Sequence, residues 1–176
     1  MLARRGRLDP ARGYDGRVMT RLPNLGPRGE GYVAIQGVLL VVVVATMSLG
    51  PAWTGALREV AAAAGLVLVL AGAWLAVRGT RDLAENLTPF PQPNETNRLI
   101  DTGVYGLVRH PIYGGLILGA AGLGLLAASP TTLLAAVALE LLFELKSRRE
   151  EAWLIERHSD YAAYRTHTRR LIPWLH

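Results

Sequence analysis

Four stretches of this chain are nearly free of charge over lengths close to a bilayer crossing, which constrains the fold more than anything else in the sequence. They run from Tyr32 to Leu49, Val60 to Val77, Gly115 to Ala128 and Thr131 to Leu145. The first contains the unbroken run Val38-Leu39-Leu40-Val41-Val42-Val43-Val44. A helix rises about 1.5 Å per residue, so about 20 apolar residues span the hydrocarbon core. A soluble core alternates apolar with polar residues, and these blocks do not. The 51% hydrophobic content is mostly Ala, Val and Leu gathered into the blocks. The sequence predicts an all-α, multi-pass transmembrane bundle of about four spans, placed near 32–49, 60–77, 112–128 and 131–147.

Loop charge supports that count. The first connection carries only Arg58 and Glu59, and the Ser129-Pro130 turn carries none. The connection between the second and third spans carries Arg78, Arg81, Arg98 and Arg109. The tail carries Lys146, Arg148, Arg149, Arg157, Arg165, Arg169 and Arg170. Basic residues alternate by side, which predicts four spans in the cell (inner) membrane with both termini cytoplasmic. The net charge of +5 sits largely at the two ends. It reads as topology and anionic-lipid contact, with no nucleic acid as partner. Residues 1–30 carry arginines among Gly and Pro and are expected to be a mostly disordered basic arm. Residues 31–176 form the membrane domain.

The Ser129-Pro130 turn makes the last two spans a tight antiparallel hairpin. Gly115, Gly119 and Gly122 lie in helical register on its first arm, and Gly115-x-x-x-Gly119 lets a neighbouring backbone approach. The loop from Arg78 to His110 holds Pro89-Phe90-Pro91-Gln92-Pro93 and then apolar residues among turn formers. It reads as a folded cytoplasmic lid. The tail from Trp153 to Trp174 mixes aromatic, basic and apolar residues, as an interfacial helix does.

Ionisable residues mark the two mouths of the hairpin. Pro111 suits the first helical position, which makes His110 the cap, beside free N–H groups and the positive dipole end. Tyr113 follows in the first turn. Each alone fits a cap or an interfacial aromatic belt as well as a site. On the second arm Glu140, Glu144, Ser147 and Glu151 share one helical face, and Arg148 sits four residues after Glu144. Carboxylates inside an apolar segment cost about 2.5 kcal/mol or more unless paired or facing water. The face should line a cavity or meet cations such as Arg109, and Glu140 could line that cavity or bridge helices. The absence of cysteine excludes disulfides, thiolate metal sites and a cysteine nucleophile. Four scattered histidines make no metal site, and no phosphate-binding glycine loop or Gly-x-Ser-x-Gly elbow is present.

The segment Leu99 to Gly114, ending Arg109-His110-Pro111-Ile112-Tyr113-Gly114, resembles the signature of isoprenylcysteine carboxyl methyltransferases and related phospholipid methyltransferases. The stretch Arg149-Glu150-Glu151-Ala152-Trp153-Leu154, through Tyr161 and Tyr164 to Ile172-Pro173, resembles their second signature. Together they cover the C-terminal half. The resemblance implies an integral membrane methyltransferase that uses S-adenosylmethionine, releases S-adenosylhomocysteine and acts on a lipophilic acceptor. It implies a cytoplasm-facing cofactor pocket closed by the loop and the C-terminal helix. Leu99, Val104, Tyr105, His110, Tyr113, Gly114, Glu150, Glu151, Tyr161 and Tyr164 would bind cofactor. Arg109 would join them in the pocket, and Arg149 or Arg148 would orient substrate or cofactor. A carboxylate acceptor would need no base, whereas toward an amine acceptor Glu140, Glu144 or His110 could act as the base. Membrane sterol reductases with a similar Arg-His signature and a nicotinamide cofactor are one alternative. A non-catalytic membrane scaffold of the same fold is another.

Overall fold

A computed structural model describes residues 22–49, 52–93 and 98–173. It contains five helices: α1 Glu30–Thr46, α2 Gly55–Leu83, α3 Pro111–Leu126, α4 Pro130–Arg157 and α5 Tyr161–His167. Two 3-10 turns, Ala84–Asn86 and Gly103–Gly106, lie in the connection between α2 and α3. No strand occurs among the described residues, and a lone parallel bridge joins Val108 to Arg169. The all-helical expectation holds. Within the described residues, one helical stretch, Gly55–Asn86, is by itself long and apolar enough to cross a membrane. α1 and α3 are shorter apolar helices.

Two helices run past their expected ends. α2 extends to Leu83, with Arg78 paired to Asp82 across its last turn at 3.5 Å. α4 continues to Arg157 because nothing between Pro130 and His158 breaks a helix, and the chain turns extended at His158. Residues 140 to 157 therefore lie on one rigid rod. The α3–α4 hairpin forms as expected. Ala128 takes the left-handed conformation at φ 51°, and the Ser129 hydroxyl caps α4 by accepting from the Thr132 N–H at 3.2 Å.

α2 and α3 pack antiparallel through glycines seven residues apart. A Cβ on Gly65 would lie 2.7 Å from the Gly122 carbonyl oxygen, and one on Gly72 would lie 2.5 Å from that of Gly115. Gly79 meets Pro111 in the same way. The expected glycines Gly115, Gly119 and Gly122 all take part, since a Cβ on Gly72 would also lie 2.8 Å from the Gly119 nitrogen. Gly119 points its Cβ direction into open space. α4 packs against α3 and α1 around Val43, Ile117, Ala120, Leu139 and Phe143. Thr46 meets Thr132 at one end of the α1–α4 contact, and Gln36 meets Lys146 at the other.

The outward faces of α1, α2 and α4 are apolar. Val41 and Leu134 are each 68% exposed, and Leu66, Val67, Leu70 and Trp74 make the same surface on α2. Residues 1–21 of the basic arm lie outside the described residues. Its last part is folded: Tyr32 donates to the Pro23 carbonyl at 2.8 Å, and Arg28 stacks on Phe90 at 4.3 Å.

We predict that Gly72→Leu, which drives a side chain into the Gly115 backbone, lowers stability by about 3 kcal/mol or prevents folding. Gly119→Ala should change it by less than about 0.5 kcal/mol. Thermal unfolding in detergent micelles checks both.

Candidate active site

The start of α3, the inner face of α4 and the α2–α3 connection converge on a cavity of about 280 Å³. His110 is the N-cap of α3 and Pro111 its first residue, as the sequence indicates. The cap is held from outside. The Arg109 and His110 N–H groups donate to the Arg169 and Arg170 carbonyls at 2.8 and 2.9 Å. This short pairing brings the tail under α3, where only a glycine at position 114 admits the Leu171 carbonyl.

The two glutamates on α4 are adjacent in sequence but do different things. Glu151 is fully buried and ties the site together. Its Oε1 accepts from Arg109 Nε at 2.7 Å and from Arg170 Nε at 3.4 Å. The same oxygen lies 3.4 Å from His110 Nε2, and Arg165 Nε lies 3.7 Å from Oε2. Burial alone would raise the Glu151 carboxyl. The His110 imidazole and the Arg109 and Arg170 guanidiniums reverse this and hold it at about 2. Arg109 also donates to the Thr168 carbonyl, so one ion pair joins α3, α4 and the tail.

Glu150 faces the cavity instead. Tyr113 donates to its Oε2 at 2.9 Å, and His110 Nδ1 lies 3.8 Å away. Burial pushes its carboxyl up, against the opposing pull of His110, Tyr113 and Lys146. Tyr113 is stacked between His110 and Phe143, with ring centroids at 5.4 and 4.6 Å. Tyr161 and Tyr105 add two more rings to the wall. Burial raises the hydroxyls of Tyr105, Tyr161 and Tyr164, which remain protonated donors near neutral pH.

Of the residues singled out in the sequence, Leu99, Tyr105, Arg109, His110, Tyr113, Glu150 and Tyr161 line this cavity. Val104 packs in a neighbouring core with Leu75 and Val108. Tyr164 supports the wall by donating to the Tyr105 carbonyl at 2.6 Å. Gly114 and Glu151 form the floor rather than the lining. Glu144 is bound by Arg148 and Arg170 away from the cavity, and Arg149 stacks on Trp153 at 4.7 Å. Glu140 is half-buried and does not line the cavity.

Sequence reasoning missed Lys146, Gln36 and Arg98, all in the lining. Lys146 was read as one of the tail's topogenic charges. Its register gave a usable signal, because it continues the buried face of Ala135, Leu139 and Phe143 toward Glu150.

The buried Tyr161 hydroxyl at the cavity wall lacks a hydrogen-bond partner, whereas His110 Nε2 points at Glu151 Oε1, 3.4 Å away. Buried polar groups are otherwise almost always satisfied, so such an atom at a cavity wall fits a polar ligand. Among the described residues no cluster of His, Asp or Glu is arranged to hold a metal ion.

Among the described residues the cavity is framed by helices, turns and loops alone. The sequence model of the phospholipid methyltransferase family matches residues 60–160, more than half of the chain. The chain belongs to this family, which is one of methyltransferases. The match spans α2, α3 and α4 and the lining from Leu83 to Leu154, and leaves out Gln36 and Tyr161. The chain is also similar to the cobalt-zinc-cadmium resistance protein CzcN of Cupriavidus metallidurans, at 33% identity over 82 residues. That alignment covers 46% of this chain and 38% of the relative's length.

Glu151→Gln should cost about 3 kcal/mol, because it leaves the buried Arg109 without its counter-charge. The folded carboxyl at about 2 lies below its ordinary value of 4.5. Its stabilisation is therefore complete above about pH 4.5 and is lost as pH falls toward 2. Unfolding temperatures of wild type and variant measured against pH should converge across that window.

Proposed function

We propose that the chain is an integral membrane methyltransferase that takes its methyl group from S-adenosylmethionine and passes it to a lipophilic acceptor. The observation that carries this reading is the pairing of Glu150 with Tyr113 and His110 in an aromatic-walled cavity, within a methyltransferase family match. When bound, S-adenosylmethionine supplies an electrophilic methyl carried on a sulfonium. Glu150 suits its ammonium or ribose hydroxyls, and the Tyr105, Tyr113 and Tyr161 rings suit a cationic sulfur. The His110-capped start of α3 and Arg98 suit its carboxylate. The partnerless Tyr161 hydroxyl is a further donor.

Catalysis in this reading is alignment. Arg109 is neutralised by Glu151, so it positions the cavity wall rather than acting on protons. Leu154, Leu99, Ile100 and Leu116 exclude water from the apolar side. Glu151, Tyr164, Val104 and Gly114 are positioning residues. Glu144, paired with Arg170, and Arg149, stacked on Trp153, support this frame and are absent from the cavity lining.

Four crossings account for the apolar outward faces better than a soluble bundle does, because large contiguous apolar patches are rare on monomeric soluble proteins. α1, α2, α3 and the first half of α4 are the spans, with the cavity on the basic, cytoplasmic rim of the inner membrane. Residues 31–176 form the membrane domain behind the basic arm of residues 1–30. The acceptor enters from the bilayer and the cofactor from the cytoplasm.

Glu150→Gln in purified protein should abolish S-adenosylhomocysteine binding by calorimetry and lower methyl transfer by about 100-fold, with the unfolding temperature retained. Unchanged affinity would remove Glu150 from the site. Tight NADPH binding without S-adenosylhomocysteine binding would favour a reductase. For topology, Thr131→Cys is the only thiol in an otherwise cysteine-free chain. It should react with an impermeant maleimide added outside intact cells, and labelling only after lysis would refute four spans.

A further inference from the structure

Lys146 is 1% exposed, sits just past the midpoint of α4 where its charged half begins, and lines the cavity. A buried ammonium is costly unless it is paired and hydrogen-bonded, and such residues are kept where they act. Its hydrogen bonds go to neutral oxygens: Gln36 Oε1 at 2.7 Å and the Pro89 carbonyl at 3.0 Å. The ammonium also lies over the Tyr113 ring at 4.8 Å. A lysine has three N–H donors, so two oxygen partners leave one donor without an oxygen acceptor.

Among the described residues no carboxylate lies within ion-pair distance of Lys146. Glu150 shares its helical face one turn on, but the Glu150 oxygens are engaged by Tyr113 and face His110. Glu151 is held by Arg109 and Arg170, and Glu144 by Arg148 and Arg170. Glu150, one turn on, attracts the ammonium without reaching ion-pair distance, so among the described residues no anion contacts Lys146 directly, and the open side of its environment is the cavity.

We propose that Lys146, held by Gln36 and Pro89, is the specificity-determining group that binds the anionic head of an amphiphilic ligand, a carboxylate or a phosphate on an apolar tail. The inference rests on the proposed function in that this ligand is the methyl acceptor. Gln36 belongs to α1 and Lys146 to α4, so this anchor lies between two helices whose outward faces are apolar. The head reaches Lys146 while the tail stays among lipid-facing side chains. Lys146 and Glu150 flank Tyr113, the ammonium over its ring and the carboxylate at its hydroxyl, so an anionic head on Lys146 and a cationic group on Glu150 would lie side by side. Lys146 attracts the anion in the ground state, so its contribution falls on acceptor binding rather than on the chemical step.

Binding without cofactor tests this directly. Dansyl-labelled amphiphiles of one tail length, with a carboxylate, phosphate, alcohol or amine head, are titrated into protein in nanodiscs and followed by fluorescence. Wild type should bind the carboxylate or the phosphate about tenfold more tightly than the alcohol, about 1.4 kcal/mol. The amine should bind no better than the alcohol. The stronger of the two anions identifies the head chemistry. Lys146→Met should erase the preference and leave alcohol binding in place, while Lys146→Arg should keep it. In methyl transfer Lys146→Met should raise KM for an anionic acceptor with kcat little changed. Equal wild-type affinity for anionic and neutral heads would overturn the proposal even if no variant folds. A preference that survives in Lys146→Met, or a fall confined to kcat, would overturn it as well. Calorimetry with S-adenosylhomocysteine runs beside these titrations. Failure of that binding would sink the methyltransferase reading and leave the head-group comparison to decide Lys146.

Discussion

The buried Glu151 carboxylate and its Arg109 partner hold together every part of the site. One ion pair, with His110 and Arg170 beside it, joins the cap of α3 to the middle of α4 and to the tail. A buried carboxylate survives only with such company, since the loss of hydration must be offset by close opposite charge and good geometry. The pair also acts on its neighbour. With Glu151 saturated by cations, Glu150 is left to face the cavity with Tyr113 and His110. Two identical residues, adjacent in the chain and about 100° apart around a helix, thus end in opposite environments.

The glycine-lined contact between α2 and α3 supplies the second constraint. Backbones that approach at Gly65–Gly122 and Gly72–Gly115 set α3 tightly against α2. The long α2 then reaches Asp82, whose carboxylate accepts from the Val104 N–H at 3.0 Å. That bond pins the 3-10 turn carrying Tyr105 to the cavity wall. The site therefore rests on two linkages, one ionic at the tail and one of close packing at the helix pair.

Much of the fold was legible because a bilayer-sized apolar block is a one-dimensional signal. The helices, the Ser129-Pro130 hairpin and the His110-Pro111 helix start all follow from local chemistry. So does the Glu144–Arg148 pair, which spans one turn. Helix ends were less legible: the fourth span was placed to end near residue 147 and its helical face was read as far as Glu151, whereas α4 runs on to Arg157. The glycines of α3 were legible as a packing face, and Gly115, Gly119 and Gly122 all present backbone to α2 or its glycines; that the glycines of α2 recur every seven residues opposite them was not read. Arg109 meeting the α4 face that carries Glu140, Glu144 and Glu151 was anticipated; that Glu150 would face the cavity while Glu151 is sealed beneath it was not.

By itself, the sequence determined the helical class, the hairpin, the basic rim and the two signatures that lead to a methyltransferase family. These depend on periodicity, turn chemistry and residue order, which the chain carries locally. Only the tertiary structure decided which ionisable groups are structural and which face a ligand. Lys146 and Arg149 stand three residues apart in the same basic run, yet one is sealed against Tyr113 and Gln36 and the other stacks on Trp153 near the surface. Burial and charge pairing are made by segments far apart in the chain, here α1, the Pro89 loop, α3 and the tail. No local pattern encodes that meeting, so the roles of Glu150, Glu151 and Lys146 became readable only in three dimensions.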